Sequence, residues 1–294
     1  MVKMKILITG ASGFLGEKLF SVFSSDYEVY GTYLKGEESS LYKLDLTDKE
    51  ALDSLVGKIK PSIVINAAGI TDVDYCESNP EQAKKISVDC IKNLVETCLK
   101  HKCRLVHIST DYVFDGKKGN YKEEDKINPI NVYGVIKLEE EKTILSSKLE
   151  YIISRTAVLY GYNSNEDKRT YVNWVISKLK NNEEIKIIND QYTTPTLIDD
   201  IADALKKLIE LKKTGIYHVT GSECINRYDF AVKVADIFNL KRELIVPITS
   251  KDIKWKAQRP MNSCLNTDKL KNLDIKMSNI NEGLSKMKKQ MEFL

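Results

Sequence analysis

The stretch that decides the fold is Lys5-Ile-Leu-Ile-Thr9, followed directly by Gly10-Ala-Ser-Gly13-Phe-Leu-Gly16. The aliphatic run predicts a buried strand, and the residues after it predict a turn into a helix. Gly10 permits the tight turn, Gly13 lets an anion approach the backbone, and Gly16 lets the helix pack on the strand. Because a helix N-terminus attracts anions, the unit predicts a dinucleotide-phosphate site. Its other expected cofactor contacts are Ser12, Phe14 and Leu15.

The first half of the chain alternates short β-rich runs with amphipathic helical stretches. Such runs are typical of strands buried on both faces of a parallel sheet. The predicted strands are Lys5–Thr9, Tyr27–Tyr33, Leu41–Leu44, Ser62–Asn66, Arg104–Ser109 and Tyr151–Arg155. The predicted helices are Leu15–Ser24, Lys49–Lys58, Pro80–His101 and Tyr133–Ser147. Right-handed crossovers then give an α/β fold with a doubly wound parallel sheet.

The pattern loosens after about residue 158, which predicts a smaller C-terminal substrate-binding lobe. Helices are expected at Thr170–Lys180, Leu197–Leu211, Asn226–Phe238 and Ile280–Met291, and a strand at Gly215–Val219. We assign residues 1–158 and about 194–221 to the dinucleotide-binding domain, and about 159–193 and 222–294 to the substrate-binding lobe. The ligand is expected between the two, at the carboxyl ends of the strands.

The end of the second strand bears on the choice between NADPH and NADH. Such a strand usually ends in an acid when the adenosine ribose carries a free 2′-hydroxyl, but here Lys35 stands where a 2′-phosphate would lie. Glu37 and Glu38 follow closely, so NADPH is favoured and NADH stays possible. The residues expected beside the cofactor after the third and fourth strands are Asp45, Leu46, Ala67, Ala68 and Gly69.

A tyrosine and a lysine four residues apart, Tyr133 and Lys137, share one face of a predicted helix. Reduction of a carbonyl needs a proton donor, and a nearby ammonium would lower the pKa of the tyrosine from its usual value near 10. Ser109 and Thr110 end the strand before this helix, where a hydroxyl would hold the substrate oxygen. These features fall at the carboxyl ends of successive strands, which makes a chance arrangement a poor explanation.

Composition excludes several other classes of function. The 45 basic and 42 acidic residues nearly cancel to a net charge of +3, which gives no support to nucleic-acid or membrane-surface binding. No apolar stretch is long enough to span a membrane, and a cytoplasmic protein is expected. The three histidines are too separated for a metal cluster, so no metal is assigned. The six cysteines, which form no CxxC pair, are expected to be free thiols.

Longer motifs identify a family resemblance that covers essentially the whole chain. They are Ile108-Ser-Thr-Asp-Tyr-Val-Phe-Asp-Gly116, Pro129-Ile-Asn-Val-Tyr-Gly134, Ile188-Asn-Asp-Gln-Tyr192 with Pro195-Thr196, and Arg259-Pro-Met-Asn-Ser263 followed by Leu265-Asn-Thr267. With them the chain resembles the extended short-chain dehydrogenase/reductases, which have a Rossmann fold, and specifically the dTDP-4-dehydrorhamnose reductase family. It is also similar to the regulatory beta subunit of methionine adenosyltransferase.

The resemblance implies an NAD(P)H-dependent oxidoreductase that reduces the C4 ketone of a nucleotide-linked 6-deoxy-sugar, a step of dTDP-rhamnose biosynthesis. In that family Tyr133 would be the proton donor, Lys137 would bind the nicotinamide ribose, and Thr110 would complete the catalytic triad. The residues implied to contact the substrate are Thr71, Val73, Asp111 and Tyr112 beside the sugar, and Arg259 and Asn262 at the diphosphate. The alternative for Arg259 is a salt bridge that closes the interface between the lobes.

Two positions depart from the reductase pattern. Val158 replaces the tryptophan that the reductases carry near the substrate, which puts the identity of the sugar in doubt. Ser87 stands where an asparagine is often found. Two other functions stay open: a catalytically silent NADP-binding subunit of the methionine adenosyltransferase type, and an epimerase, which fits the late motifs less well. Relatives often pair through two helices per subunit, here about Pro80–His101 and Tyr133–Ser147, so a homodimer is expected.

Overall fold

The glycine-rich turn lies between the first strand and the first helix, as the sequence predicts. A computed structural model describes residues 3–36, 38–163 and 170–292; Glu37, considered for cofactor choice, lies outside these ranges. The strands in the described residues are β1 (Lys5–Thr9), β2 (Glu28–Tyr33), β3 (Tyr42–Lys43), β4 (Ile63–Asn66), β5 (Arg104–Thr110), β6 (Tyr151–Thr156), β7 (Leu159–Tyr160), β8 (Ile185–Ile188), β9 (Tyr192–Thr193), β10 (Thr196–Leu197), β11 (Gly215–His218), β12 (Ile225–Asn226) and β13 (Ile245–Ile248).

Ten α-helices lie in the part of the chain that the structure describes. They are α1 (Phe14–Ser24), α2 (Lys49–Ile59), α3 (Val73–Ser78), α4 (Pro80–His101), α5 (Val132–Leu145), α6 (Tyr171–Lys180), α7 (Ile198–Glu210), α8 (Arg227–Ile237), α9 (Asp268–Lys271) and α10 (Ile280–Glu292). The bounds of β1 and α4 are as predicted, and most other bounds differ by one or two residues at an end. The sequence analysis did not predict α3 or the strands β8 and β13.

Seven parallel strands form the central sheet in the order β11-β6-β5-β4-β1-β2-β3. The order reverses direction between β1 and β4, which is the switch point where doubly wound sheets bind their ligands. Helices α1 and α7 pack together on one face, and the buried residues of α2 and α4 form a core on the other. The predicted doubly wound sheet is therefore confirmed.

A smaller core forms beyond the sheet. It contains buried residues of α6, α8 and α10, and the parallel strands β8 and β13 lie beside it. Strand β11 does not belong to this core, because it pairs with β6 at the edge of the central sheet. The division of the chain into a dinucleotide-binding domain and a substrate-binding lobe stays a prediction.

The expectation of six free cysteines is wrong for two of them. Cys224 and Cys264 form a disulfide with a Cα–Cα distance of 5.6 Å, although 40 residues separate them in sequence. The segment before β12 and the segment after Ser263 meet only in the folded chain, so spacing could not reveal the pair. Cys76, Cys90, Cys98 and Cys103 are free.

Candidate active site

Two glycines of the turn have no room for a side chain. Gly10 has φ +70°, and a Cβ on it would lie 2.8 Å from the backbone of Ala68. A Cβ on Gly16 would lie 2.0 Å from the carbonyl oxygen of Gly10. Close packing therefore brings the first turn of α1 against the end of β1. Because the first N–H groups of a helix have no partner within the helix, this turn can bind an anion. This cradle fits a dinucleotide pyrophosphate.

A cavity of about 310 Å³ opens on one side of the turn. The residues after β2 and β3 that line it include Lys35, Asp45 and Leu46, and Gly10, Ala68 and Gly69 lie on the facing wall. Helix α4 closes it with Ile86, Ser87, Cys90 and Ile91, which motif reasoning did not assign to the cofactor. The Asp45 carboxylate already accepts hydrogen bonds from the amide and hydroxyl of Thr47 at 2.9 and 2.8 Å.

A second cavity, of about 540 Å³, shares Ala68, Gly69 and Ile70 with the first. Its lining brings together most of the remaining predicted site residues, namely Gly13, Phe14, Leu15, Gly16, Ala67, Thr71, Val73, Ser109, Thr110, Asp111, Tyr112, Tyr133 and Lys137. Ser12 lines neither cavity. The first cavity has the position expected for an adenosine, and the second contains the reactive side chains.

Tyr133 and Thr110 form the centre of the second cavity. Asn131 caps α5 by accepting a 2.8 Å hydrogen bond from the amide of Gly134, which fixes the first turn where Tyr133 lies. The Tyr133 phenol is hydrogen-bonded to Thr110 and its ring meets Tyr112 edge-on, with centroids 5.9 Å apart. Burial raises the pKa of Tyr133 above its ordinary value, and the hydrogen bond with Thr110 only partly opposes this shift.

Lys137 does not act on Tyr133 in the way that the sequence analysis expected. Its ammonium donates to the Glu140 carboxylate at 2.5 Å and to the carbonyl of Ile108 at 3.0 Å. The ion pair is buried, with side-chain exposures of 8% and 6%. The expectation of a lowered tyrosine pKa is wrong for this structure, because burial raises the pKa of Tyr133 and the Glu140 carboxylate, which pairs with Lys137, raises it further.

Asp111 is a buried carboxylic group facing the same cavity. Burial raises its pKa to about 6, although hydrogen bonds with Ser263 and Thr110 oppose the shift. Its Oδ2 atom has no hydrogen-bond partner among the described residues. Val158, also in the cavity wall, has φ +36°, a left-handed backbone conformation that β-branched residues rarely adopt. Such strained positions concentrate at functional sites.

Three predicted site residues have other partners. The Ser109 hydroxyl donates to Glu141 at 2.5 Å. Arg259 donates to the Asp74 carboxylate at 3.0 Å, which is the salt bridge considered as its alternative role. The backbone N–H of Asn262 donates to the carbonyl of Gly116 at 2.9 Å. Neither Arg259 nor Asn262 lines the cavities, although Asp74 follows directly after the cavity residue Val73.

Metal-binding clusters and membrane-spanning helices are both absent from the described ranges. Residues 3–36, 38–163 and 170–292 contain no group of three or more His, Cys, Asp or Glu side chains arranged to hold a metal. Within the same ranges, every helix is too short or too polar to cross a membrane.

The chain is similar to known proteins over nearly its whole length. The family model described as the RmlD substrate binding domain matches residues 4–293. The dTDP-4-dehydrorhamnose reductase of Aggregatibacter actinomycetemcomitans is 36% identical over 280 residues, which are 90% of this chain and 92% of the relative. The methionine adenosyltransferase 2 subunit beta of Bos taurus is 31% identical over 278 residues, which are 92% of this chain and 83% of the relative.

Among solved structures, the dTDP-4-dehydrorhamnose reductase of Bacillus anthracis superposes with a TM-score of 0.89 at 30% identity. The match covers 99% of this chain and 100% of that one, and that structure is a complex with NADP.

Proposed function

Because the chain belongs to the family described as the RmlD substrate binding domain, we propose that it reduces the C4 ketone of a nucleotide-linked 6-deoxy-sugar with NADPH. The observation that carries this proposal is the 540 Å³ cavity, in which Thr110, Tyr133 and Lys137 lie beside the glycine turn. The reaction is that of the dTDP-4-dehydrorhamnose reductases, and the chain is an NADPH-dependent oxidoreductase.

The two cavities would hold the cofactor. The first turn of α1 would bind its pyrophosphate, and Asp45 and Leu46 would lie beside its adenosine in the cavity of about 310 Å³. Lys35, which lines that cavity, would pair with the 2′-phosphate that distinguishes NADPH from NADH. When bound, NADPH supplies the hydride. NADH stays a possible second cofactor.

The protein's own contribution is orientation and a proton. Thr110 holds the ketone oxygen, and Tyr133 donates its phenolic proton to that oxygen as negative charge develops there. A raised tyrosine pKa keeps the phenol protonated at neutral pH, so the donor is ready before each turnover. Lys137 is placed to bind the nicotinamide ribose. Ser109 supports this arrangement through Glu141 rather than through the substrate.

The sugar lies between Thr71 and Val73 on one side and Asp111 and Tyr112 on the other. At the diphosphate, Arg259 exchanges its bond with Asp74 for the substrate's phosphate oxygens, whose geometry suits a guanidinium, and Asn262 assists. Val158 presents an aliphatic face where the reductases carry tryptophan. We therefore place the substrate at the level of a nucleotide-linked 4-keto-6-deoxy-sugar rather than a single compound.

The experiment is NADPH consumption by the purified protein with dTDP-4-keto-6-deoxy-sugar, with Tyr133→Phe as the matched variant. We expect turnover in the wild type and a loss of at least about 100-fold in the variant, with unchanged NADPH affinity. Equal rates in both proteins would refute the role of Tyr133.

A second function, a silent NADP-binding subunit of the methionine adenosyltransferase type, is favoured by one observation. Val158 is closer to the aliphatic pattern of that subunit than to the reductases. Tight NADPH binding without turnover, together with co-purification with a methionine adenosyltransferase, would favour this alternative.

The protein also pairs as a homodimer through α4 and α5. Leu99 on α4 and Val135 and Leu145 on α5 are exposed apolar side chains on these helices, which an interface would cover. Gel filtration with light scattering tests this pairing, and the mass of one chain would contradict it.

The cytoplasmic location remains a prediction from the sequence.

A further inference from the structure

Glu140 occupies a buried position that joins the two cavities. Its side chain lines the cavity proposed for adenosine, whereas Lys137, to which it is bonded, lines the cavity with the reactive groups. A buried carboxylate needs compensation from a positive charge or from hydrogen bonds. Glu140 has both, because the Lys137 ammonium and the ring of His107 donate to the same carboxylate oxygen.

His107 is oriented by a chain of side chains that runs across the sheet. Thr9 donates its hydroxyl proton to the Asn66 amide oxygen at 2.6 Å, and the Asn66 amide nitrogen lies 3.1 Å from His107 Nδ1. His107 Nε2 lies 3.0 Å from Glu140. If Asn66 donates to Nδ1, then Nε2 carries the proton and donates to the carboxylate. With a neutral His107, each hydrogen-bond donor in this row of side chains then faces an acceptor.

Among the described residues that face Glu140, Lys137 is the only one with a positive charge. Burial first, and then the nearby Lys137 ammonium, lower the pKa of His107, so the ring is neutral at pH 7. Two thiols, those of Cys90 on α4 and Cys76 on α3, also lie near the Glu140 charge. Burial, and to a smaller extent that charge, raises the pKa of both thiols, so they are neutral. Glu141 adds a second negative charge near His107, but that carboxylate is bonded to Arg155.

The same carboxylate acts on the proton donor. Burial is the main reason that the pKa of Tyr133 is raised, and the negative charge of Glu140 raises it further. Burial alone would raise the pKa of Glu140, but the Lys137 charge and the His107 hydrogen bond outweigh it and lower the pKa overall. The carboxylate is therefore ionised at pH 7.

We propose that Glu140, oriented by His107, is a positioning residue for the reduction: it holds the Lys137 ammonium against β5 and sets the charge beside Tyr133. The catalytic consequence of this inference rests on the proposed function. The ion pair between Lys137 and Glu140 does not depend on that function. Two results follow. The carboxylate keeps Tyr133 protonated to higher pH, and it opposes binding of the anionic cofactor whose cavity it lines.

The first test changes Glu140→Gln and measures kcat against pH. Removal of the negative charge favours the phenolate, so the pH at which kcat falls to half is expected to decrease. Glu140→Asp retains the charge and is expected to restore the wild-type pH value. Glu139→Gln is the matched control, because Glu139 is the neighbouring residue and pairs with Lys84 at the surface.

The second test measures NADPH affinity by fluorescence titration and does not require turnover. Loss of a like charge beside the cofactor is expected to decrease the Kd at least about threefold in Glu140→Gln, and to leave it unchanged in Glu139→Gln and Glu140→Asp. An unchanged Kd together with an unchanged pH profile in Glu140→Gln would overturn the proposal.

The third test follows the ring nitrogens of ¹⁵N-labelled histidine in the wild type by NMR, which is tractable because the chain has three histidines. His107 is expected to be neutral at pH 7, with its proton on Nε2. A protonated His107 at pH 7 would overturn the proposal, because the histidine would then be the partner of Glu140. A wild type that binds NADPH without turnover contradicts the proposed function alone, and the affinity and NMR results then decide the role of Glu140.

Discussion

Replacement of Glu141 by Gln tests the electrostatic core beneath the site. Glu141 on α5 and Arg155 on β6 are both fully buried, and the guanidinium donates to both carboxylate oxygens at 3.0 and 2.8 Å. Ser109, at the end of β5, donates to the same carboxylate. One ion pair therefore joins α5 to the ends of two strands that carry site residues.

The expected loss of stability follows from the charge that stays behind. Glutamine has nearly the same shape as glutamate, so the change removes the charge without opening a cavity. The Arg155 guanidinium then remains buried without a counter-charge, which typically costs about 3–5 kcal/mol. Since domains of this kind are stable by only about 5–15 kcal/mol, the loss is a large fraction of the total.

Urea unfolding followed by tryptophan fluorescence measures this loss, with Glu139→Gln as the control. The Lys84–Glu139 pair is partly exposed, at 49% and 32% of the side chains, so its removal is expected to cost less than about 1 kcal/mol. The double variant Glu141→Gln/Arg155→Met, which removes the stranded charge, should recover part of the stability. A Glu141→Gln variant within about 1 kcal/mol of the wild type would refute the reasoning.

Three further predictions concern the cofactor, the disulfide and pH. Lys35→Glu should raise the Kd for NADPH at least about tenfold and that for NADH much less, because a like charge meets the 2′-phosphate; equal effects on both cofactors in a fluorescence titration would argue against that contact. Cys224→Ser should decrease the free energy of unfolding by about 2–4 kcal/mol, as expected for opening a closed loop of this length, and should make Tm insensitive to dithiothreitol; a wild type equally insensitive would contradict the disulfide. The pKa of His218 is lowered to about 3 by burial and by Arg155, so its contribution to stability is present above pH 6.5 and is lost as the pH falls towards 3. Between pH 7.5 and 5.5 the wild type should therefore lose about 1.4 kcal/mol more than His218→Gln, measured by urea unfolding at each pH, and parallel losses would show that His218 does not carry the effect.

The central sheet could be predicted because its signals are local. The glycine turn after β1 combines a strand, a phosphate loop and a helix within a few residues, and each later strand is marked by its own apolar run. Helix ends were shifted where a side chain forms the cap. Asn131, for example, caps α5 with its side chain, so the helix begins at Val132, one residue before the predicted start.

The site could be predicted only as a set of residues, not as a set of partners. Spacing indicates that Tyr133 and Lys137 share a helix face, but it does not show that Glu140, on the next turn, takes the lysine charge. The same limit applies to Arg259, whose bond to Asp74 joins residues 185 positions apart. Contacts between distant segments follow from the folded arrangement and leave no periodic signal.

The disulfide was missed for a related reason. Two cysteines 40 residues apart, with no CxxC motif, are compatible with free thiols or with many pairings. The short strands around them also gave no strong periodicity. Beyond residue 158 only one strand, Gly215–Val219, was therefore predicted among helices and loops, whereas the structure adds the parallel pair of β8 and β13.

The most direct test of the central claim is to follow the hydride. NADPH carrying deuterium at the transferable position of nicotinamide C4 is incubated with the protein and a nucleotide-linked 4-keto-6-deoxy-sugar, and the product is analysed by NMR and mass spectrometry. One deuterium at C4 of the sugar, formed by the wild type and not by Tyr133→Phe, is the expected result. A sugar that remains a ketone while NADPH is bound and unconsumed would contradict a reductase and favour a cofactor-binding subunit.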